Sequence, residues 1–193
     1  MVDFGAGPGT AALAWAEHIV RQTHELPSLS YVHLDRLVEM GPLCEKFIRC
    51  DQNCGDDVHL WKYLDVPVVA NEGTFWVENA DYAIFVFSYI LCQKTVTRDT
   101  IIEFAQLIHD VCAMLDGRPA YLLRVDANLS WSLWGVLLTE LGHLGVMATE
   151  SNLSESFQYD GIYLNPDGTV RDICNAGPAL CDVVRIEWVP HAD

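Results

Sequence analysis

The sequence predicts an α/β fold, with a mostly parallel sheet, helices on both faces and an antiparallel hairpin at its C-terminal edge. Short apolar segments alternate with amphipathic segments of helical periodicity as far as residue 144, which indicates parallel strands joined by right-handed crossovers. The segment Ala80–Phe87 is apolar enough to be typical of a central strand covered on both faces. Two strand-like segments close in sequence follow residue 144, and this pattern predicts the hairpin.

The first half of the chain supplies the predicted strands and helices of one edge of the sheet. A strand at Met1–Phe4 leads through a glycine-rich segment into a helix at Ala11–Gln22, where apolar residues recur at helical spacing. A second strand at Tyr31–Leu34, a helix at Leu37–Arg49 and a third strand at His59–Leu64 follow.

The second half repeats this alternation and then departs from it. The predicted elements after the fourth strand are a helix at 98–115, a strand at 120–125, a helix at 131–144 and strands at 155–164 and 182–189. No repeat, low-complexity tract or linker separates these elements, so residues 1–193 are predicted to form a single domain.

Composition and charge narrow the class of protein. The chain of 193 residues is 51% hydrophobic and carries a formal net charge of −16, which excludes a disordered polyelectrolyte and disfavours nucleic acid and anionic membranes as partners. No secretory signal is recognisable, and the longest apolar run, at 82–92, is too short for a membrane-spanning helix. Seven irregularly spaced cysteines suit reduced thiols, so we expect an acidic cytoplasmic protein.

The most informative segment joins the first strand to the first helix. It has the spacing Asp-x-Gly-x-Gly-x-Gly from Asp3 to Gly9, in the strand–loop–helix context that a nucleotide-type glycine loop requires. A dinucleotide fingerprint would need a third glycine where Thr10 stands. An acid two residues before the first glycine suits a ligand with an ammonium group better than a pyrophosphate.

This segment resembles the glycine-rich motif of class I S-adenosylmethionine-dependent methyltransferases. The resemblance covers essentially the whole chain and implies a seven-stranded, mostly parallel, Rossmann-like sheet with an antiparallel edge hairpin. It implies S-adenosylmethionine as the cofactor, with Asp3 near its amino group. It also implies that the loop packs against the methionyl portion, through Gly5, Gly7, Gly9 and Thr10.

The ends of the next strands carry the other residues that the resemblance implies for the cofactor. Asp35, followed by Arg36, matches the acid that binds the ribose hydroxyls, and Asp65 matches the residue that meets the adenine amino group. Phe87 and Ser88, where the fourth strand ends, would face the methyl-transfer site. Taken alone, Asp35 also fits a helix N-cap before Leu37 and Val38.

The catalytic residues are less well indicated. The sulfonium already activates the methyl group, so positioning supplies much of the rate, and a general base is needed only when the acceptor must lose a proton. Tyr89 and Asp126 are the candidates, with Asn128 as a further polar residue. Two tryptophans, Trp131 and Trp134, either pack in the core or form a wall of the acceptor pocket with Tyr89.

Two departures from the family pattern bear on function. The helices that usually precede the first strand are missing, so a trimmed N-terminus, an open site, or a cover from a second copy or a partner subunit are the alternatives. The segment Phe87–Leu91 lacks the Asn/Asp-Pro-Pro-aromatic signature of enzymes that methylate base amines. We therefore expect methyl transfer to a small molecule or a protein, with a non-catalytic subunit of the same fold as the alternative.

Other cysteines and histidines give weaker signals. Cys44, Cys50, Cys54 and His59 match no compact zinc template, so we expect thiols rather than a metal site. His33 and His143 could border a pocket without an evident partner, whereas His109 is predicted to be structural.

Overall fold

The computed structural model describes residues 1–25, 28–52, 54, 58–66, 77–88, 90–91, 93–127, 133–164 and 170–189. They form a seven-stranded sheet in the order β3-β2-β1-β4-β5-β7-β6. Its strands are β1 (Val2–Phe4), β2 (Leu29–Leu34), β3 (Val58–Tyr63), β4 (Ala83–Ser88), β5 (Ala120–Ala127), β6 (Val146–Leu164) and β7 (Val170–Trp188). The helices are α1 (Thr10–Thr23), α2 (Met40–Cys50), α3 (Arg98–Leu115) and α4 (Trp134–His143).

The predicted fold class is confirmed. β1 to β5 are parallel to one another, and β7 pairs antiparallel with both β5 and β6, so the C-terminal hairpin forms one edge of the sheet. None of the helices in the described residues is long and apolar enough to cross a membrane.

The hairpin strands are much longer than predicted. Their pairing runs from Val146 opposite Trp188 to Leu164 opposite Val170, and the register shifts along the way. Each shift interrupts the alternation of apolar and polar residues, because one extra residue reverses the faces on which side chains lie. The predicted segments, 155–164 and 182–189, therefore cover only part of β6 and β7.

The start of α2 also differs from the prediction. The helix begins at Met40 rather than Leu37, and its N-cap residue is Glu39. Asp35 instead accepts a hydrogen bond from the Leu37 backbone N–H at 2.9 Å, which holds residues 35–37 in a turn. The interpretation of Asp35 as the N-cap of this helix is therefore wrong.

The two faces of the sheet carry different cores. The larger core, packed with α3 and α4, contains Phe4 stacked on Phe87 with ring centroids 4.6 Å apart. The smaller core lies beneath α1 and α2 and includes Ala16, Tyr31 and Cys44. Side chains alternate between faces along a strand, so Asp3 lies on the opposite face from its neighbour Phe4, with the smaller core.

Candidate functional site

The glycine loop (residues 5–9) turns the chain from β1 into α1. Gly5, Gly7 and Gly9 have φ angles of 69°, 53° and 84°, in the left-handed region that favours glycine. The backbone N–H groups of Gly5 and Ala6 donate to the Leu34 carbonyl at 2.8 and 3.1 Å. The loop is therefore fastened to the end of β2, at the carboxyl edge of the sheet, where ligands bind in open α/β folds.

The three glycines differ in what surrounds them. A Cβ atom on Gly5 would lie 2.7 Å from Ile90 Cδ1, and one on Gly9 would lie 2.5 Å from Cys44 Sγ. A Cβ atom on Gly7 would have nothing within 4 Å among the described residues. Packing requires Gly5 and Gly9, whereas Gly7 leaves an open side on which a ligand could approach the backbone.

Three side chains at alternate positions along β2 and just after it contact the glycine loop and Asp3. We call them the β2 row (Tyr31, His33 and Asp35). Tyr31 Oη donates to Asp3 Oδ2 at 2.6 Å. His33 Nε2 lies 2.7 Å from the Gly7 carbonyl oxygen, and Asp35 Oδ2 accepts from the Gly7 N–H at 2.8 Å. Sequence reasoning missed Tyr31 and found no partner for His33. The sequence did contain a signal for these contacts, because three polar residues stand at alternate positions along the strand that follows the glycine loop and just after it.

Asp3 is a buried acid with unused hydrogen-bonding capacity. Asp3 is 1% exposed, and its Oδ1 atom has no hydrogen-bond partner among the described residues. Burial raises the pKa of Asp3 to about 7; the Tyr31 hydrogen bond opposes this change and the charge of Asp35 adds to it. A cation placed beside Oδ1 would favour the ionised carboxylate.

A cleft of about 140 Å³ opens beside the β2 row, between the ends of β2 and β3. His33, Asp35 and Tyr63 line its inner part. Val38 and Leu64 line its outer part and are 66% and 50% exposed. The cleft therefore combines a carboxylate with apolar walls, a combination suited to a ring that bears hydroxyl groups.

A larger groove of about 650 Å³ lies between α2 and the edge strand β3. Its lining is mostly polar, with Glu45 bound to both Arg49 and Lys62, and it includes no residue of the β2 row. We place the candidate site at the smaller cleft, because His33 and Asp35 line it and also contact Gly7 of the glycine loop.

Three of the predicted cofactor residues are exposed and do not line the cleft. Thr10 is exposed as the first residue of α1, and Arg36 is exposed directly after Asp35. Asp65 is exposed in the bend after β3 and does not line the cleft.

The predicted residues at the end of β4 meet different surroundings. The side chain of Phe87 is fully buried against Phe4, so it packs in the core rather than facing a ligand. Ser88 is the last residue of β4 and is partly exposed. Tyr89 lies outside the described residues, as do Asn128 and Trp131.

Asp126 lies near the end of β5 in a buried polar region. It is 1% exposed, and two residues before it the buried Arg124 forms an ion pair with Asp182 of β7. The Arg124 guanidinium carbon also lies 4.9 Å from the centre of the Trp134 ring. Trp134 meets Phe87 edge-on, with centroids 6.4 Å apart, so it packs against the larger core.

The described cysteines among the metal candidates, Cys44, Cys50 and Cys54, differ in their surroundings. Cys44 and Cys54 are buried in the smaller core, where burial raises their pKa values to about 12 and about 11, and Cys50 is exposed. Within the part of the chain that the structure describes, no group of three or more His, Cys, Asp or Glu side chains could hold a metal ion.

Comparison with solved structures identifies the fold. The chain is similar to an S-adenosylmethionine-dependent methyltransferase from Methanosarcina mazei (12% identity, TM-score 0.51, covering 98% of this chain and 92% of that one). It is also similar to precorrin-6y C5,15-methyltransferase from Geobacter metallireducens (12% identity, TM-score 0.53, 95% and 77%). A third neighbour is an S-adenosylmethionine-dependent O-methyltransferase from Thermotoga maritima (12% identity, TM-score 0.51, 100% and 60%). No protein-family model matches the sequence, and no curated protein gives a significant match.

The chain therefore has the class I, Rossmann-like fold of S-adenosylmethionine-dependent methyltransferases. The resemblance drawn from the glycine motif is confirmed at the level of the fold. At these identities the likeness carries no assignment of acceptor or activity, so function is argued from the site itself.

Proposed function

We propose that this chain binds S-adenosylmethionine at the glycine loop and transfers its methyl group to a small molecule or a protein. The observation that carries the proposal is the open side of Gly7, whose N–H donates to Asp35, an acid that lines the cleft, in a loop that follows the buried acid Asp3 with its unpartnered oxygen. An acceptor other than nucleic acid is favoured by the net charge of −16.

The residues fit the chemical groups of this cofactor. Oδ1 of Asp3 can accept a hydrogen bond from the ammonium group of the methionyl portion. The open side of Gly7 allows the methionyl portion to approach the backbone closely, because no side chain intervenes. Each oxygen of Asp35 accepts one backbone hydrogen bond, and a carboxylate has further lone pairs for a ribose diol. The apolar walls of the cleft, Val38 and Leu64, suit the faces of an adenine ring.

Bound S-adenosylmethionine would supply a methyl group that its sulfonium already activates. The protein would then contribute mainly by holding the cofactor and excluding water from it. We assign Tyr89 and Asp126 as candidates for moving a proton where the acceptor must lose one.

A non-catalytic subunit of this fold is the second candidate. It is favoured by the burial of Asp126 and of the Phe87 side chain, which leaves Ser88 as the partly exposed polar residue at the described end of β4. Such a subunit would bind the cofactor or a partner without turnover. Methylation of any acceptor by the purified chain would exclude it.

Calorimetric titration with S-adenosylmethionine tests the proposal. We expect a micromolar Kd, about −8 kcal/mol. Gly7→Ala fills the open side, and Asp35→Ala removes both the diol acceptor and the partner of Gly7 N–H, so each variant should weaken binding by at least about tenfold.

Gly117→Ala is the matched control for Gly7→Ala. Gly117 has a φ of 81°, and a Cβ atom there would have nothing within 4 Å among the described residues, but it lies in the turn before β5, at the amino ends of the parallel strands and away from the glycine loop. Both alanines carry the same left-handed backbone strain. Equal losses of binding in the two variants, or no heat with the wild-type protein, would overturn the proposal.

A further inference from the structure

We propose that His33 is a positioning residue that fixes the Gly7–Pro8 peptide in the orientation that cofactor binding requires. The inference rests on the proposed function, because it assigns His33 to the same site. It starts from the 2.7 Å contact between His33 Nε2 and the Gly7 carbonyl oxygen.

The direction of this hydrogen bond follows from its partners. A carbonyl oxygen can only accept, so Nε2 of His33 must carry the proton. His33 is 1% exposed, so water does not compete with the imidazole for this bond. The ring also lines the cleft, which places it directly beneath the ligand position rather than in a remote part of the core.

The covalent structure makes this contact important for the loop. The residue after Gly7 is Pro8, which has no N–H, so the carbonyl is the sole hydrogen-bonding group of the peptide unit that joins them. Glycine has the widest conformational freedom of all residues. Without His33, no described hydrogen bond would restrain this peptide unit on the ligand side of the loop.

Asp35 completes the restraint from the other side of the same residue. It accepts from the Gly7 N–H at 2.8 Å, so the two peptide units that flank the Gly7 Cα are both held by β2-row side chains. Both polar groups of Gly7 are thereby directed at β2, and its Cα is left to face the open side. A loop held in this way does not have to be ordered when the ligand binds, which favours affinity.

The test compares two amides that differ by one methylene group. The side-chain nitrogen of glutamine can occupy the position of imidazole Nε2, whereas that of asparagine corresponds to Nδ1 and does not reach the carbonyl. We expect His33→Asn to raise the Kd for S-adenosylmethionine about tenfold, and His33→Gln to recover most of this loss. His143→Asn, on the exposed outer part of α4, is the control.

Amide hydrogen exchange of the ligand-free protein separates this inference from the proposed function. His33→Asn should accelerate exchange in residues 5–9, while His33→Gln and His143→Asn should leave it close to wild type. Faster exchange in His33→Asn would support the positioning role even where the wild type binds no S-adenosylmethionine. Unchanged exchange and unchanged Kd in His33→Asn would overturn the inference and leave the proposed function intact.

Nuclear magnetic resonance of the wild-type imidazole keeps the inference testable if His33→Asn does not fold. The nitrogen shifts of His33 should show a proton on Nε2 throughout the neutral pH range. A ring protonated on Nδ1 alone could not donate to Gly7 and would overturn the inference.

Discussion

Two buried carboxylates on opposite faces of the sheet, Asp3 and Asp182, are satisfied in different ways. Asp182 is 7% exposed and forms an ion pair with Arg124. Asp3 is 1% exposed and receives a hydrogen bond from the neutral Tyr31, with no ion pair to a side chain among the described residues. A buried charge is costly unless it is paired, so Asp182 has its partner within the protein, whereas our proposal assigns the ammonium group of the cofactor as the partner of Asp3.

The largest effect is expected where the internal pair is broken. Asp182→Ala leaves the Arg124 guanidinium buried without its carboxylate, and we expect the free energy of unfolding to fall by about 3 to 5 kcal/mol. Urea denaturation at neutral pH measures this change.

A double replacement and a control variant show whether the loss in Asp182→Ala comes from the unpaired buried charge. Replacing both partners, with Arg124→Met and Asp182→Leu, should recover most of the lost stability, because neither member of the pair is then left buried without the other. Glu17→Gln, which breaks the exposed pair with Arg21, should change stability by less than about 1 kcal/mol. A loss of that small size for Asp182→Ala would show that Arg124 finds other compensation, and the contrast with Asp3 would fail.

The second effect, at Asp3, has the opposite sign. The pKa of Asp3 is about 7 in the folded protein and has its ordinary value of 3.8 in the unfolded chain, so the folded state binds more protons between these two pH values. The contribution of Asp3 to the free energy of unfolding therefore falls as the pH rises from about 4 to about 7. Asp3→Asn removes this dependence, and we expect it to be more stable than the wild type by up to about 4 kcal/mol at pH 8.

Unfolding curves of both proteins across this pH range check the prediction. The buried amino group of Met1, whose pKa burial lowers to about 5, contributes the opposite slope, but it is present in both proteins. The stabilised Asp3→Asn variant should also lose affinity for S-adenosylmethionine. Parallel stability curves would show that Asp3 is not held at a cost in the folded protein.

The contrast also shows what the sequence could predict. Asp3, the three glycines and Asp35 follow from local spacing and from the ends of consecutive strands, and the structure places them together. Tyr31 and His33 could not be assigned in this way, since their contacts depend on the register that sets His33 beside Asp3. The Arg124–Asp182 pair joins residues 58 positions apart through the register of β5 and β7. Local periodicity carries no information on such pairings.

Phe87 illustrates a second limit. The sequence places it correctly at the end of β4, but its side chain lies on the face of the larger core, whereas Asp3 lies on the opposite face. Which face a strand residue occupies depends on the phase of the alternation, and a strand apolar on both faces shows no phase. The orientation of Phe87 therefore could not be predicted from the sequence, because β4 is apolar on both faces.

The smallest expected effect tests what the phenol does for Asp3. The hydrogen bond from Tyr31 to Oδ2 lowers the pKa of Asp3. Tyr31→Phe removes this bond, so the pKa of Asp3 should be higher in the variant than in the wild type. The charges that act on Asp3, besides its own, are Asp35 and the Met1 amino group, and the variant leaves both in place. We expect a loss of about 1 kcal/mol in affinity for S-adenosylmethionine near neutral pH.

A pH profile distinguishes two roles for Tyr31. If the hydroxyl keeps Asp3 ionised, the affinity of Tyr31→Phe should approach that of the wild type as the pH rises, because the carboxylate ionises in both proteins. A Kd raised by the same factor at every pH would instead mean that Tyr31 only shapes the pocket. The charge of Asp3 would then depend on the bound cation alone, and the phenol would have no part in the difference between Asp3 and Asp182.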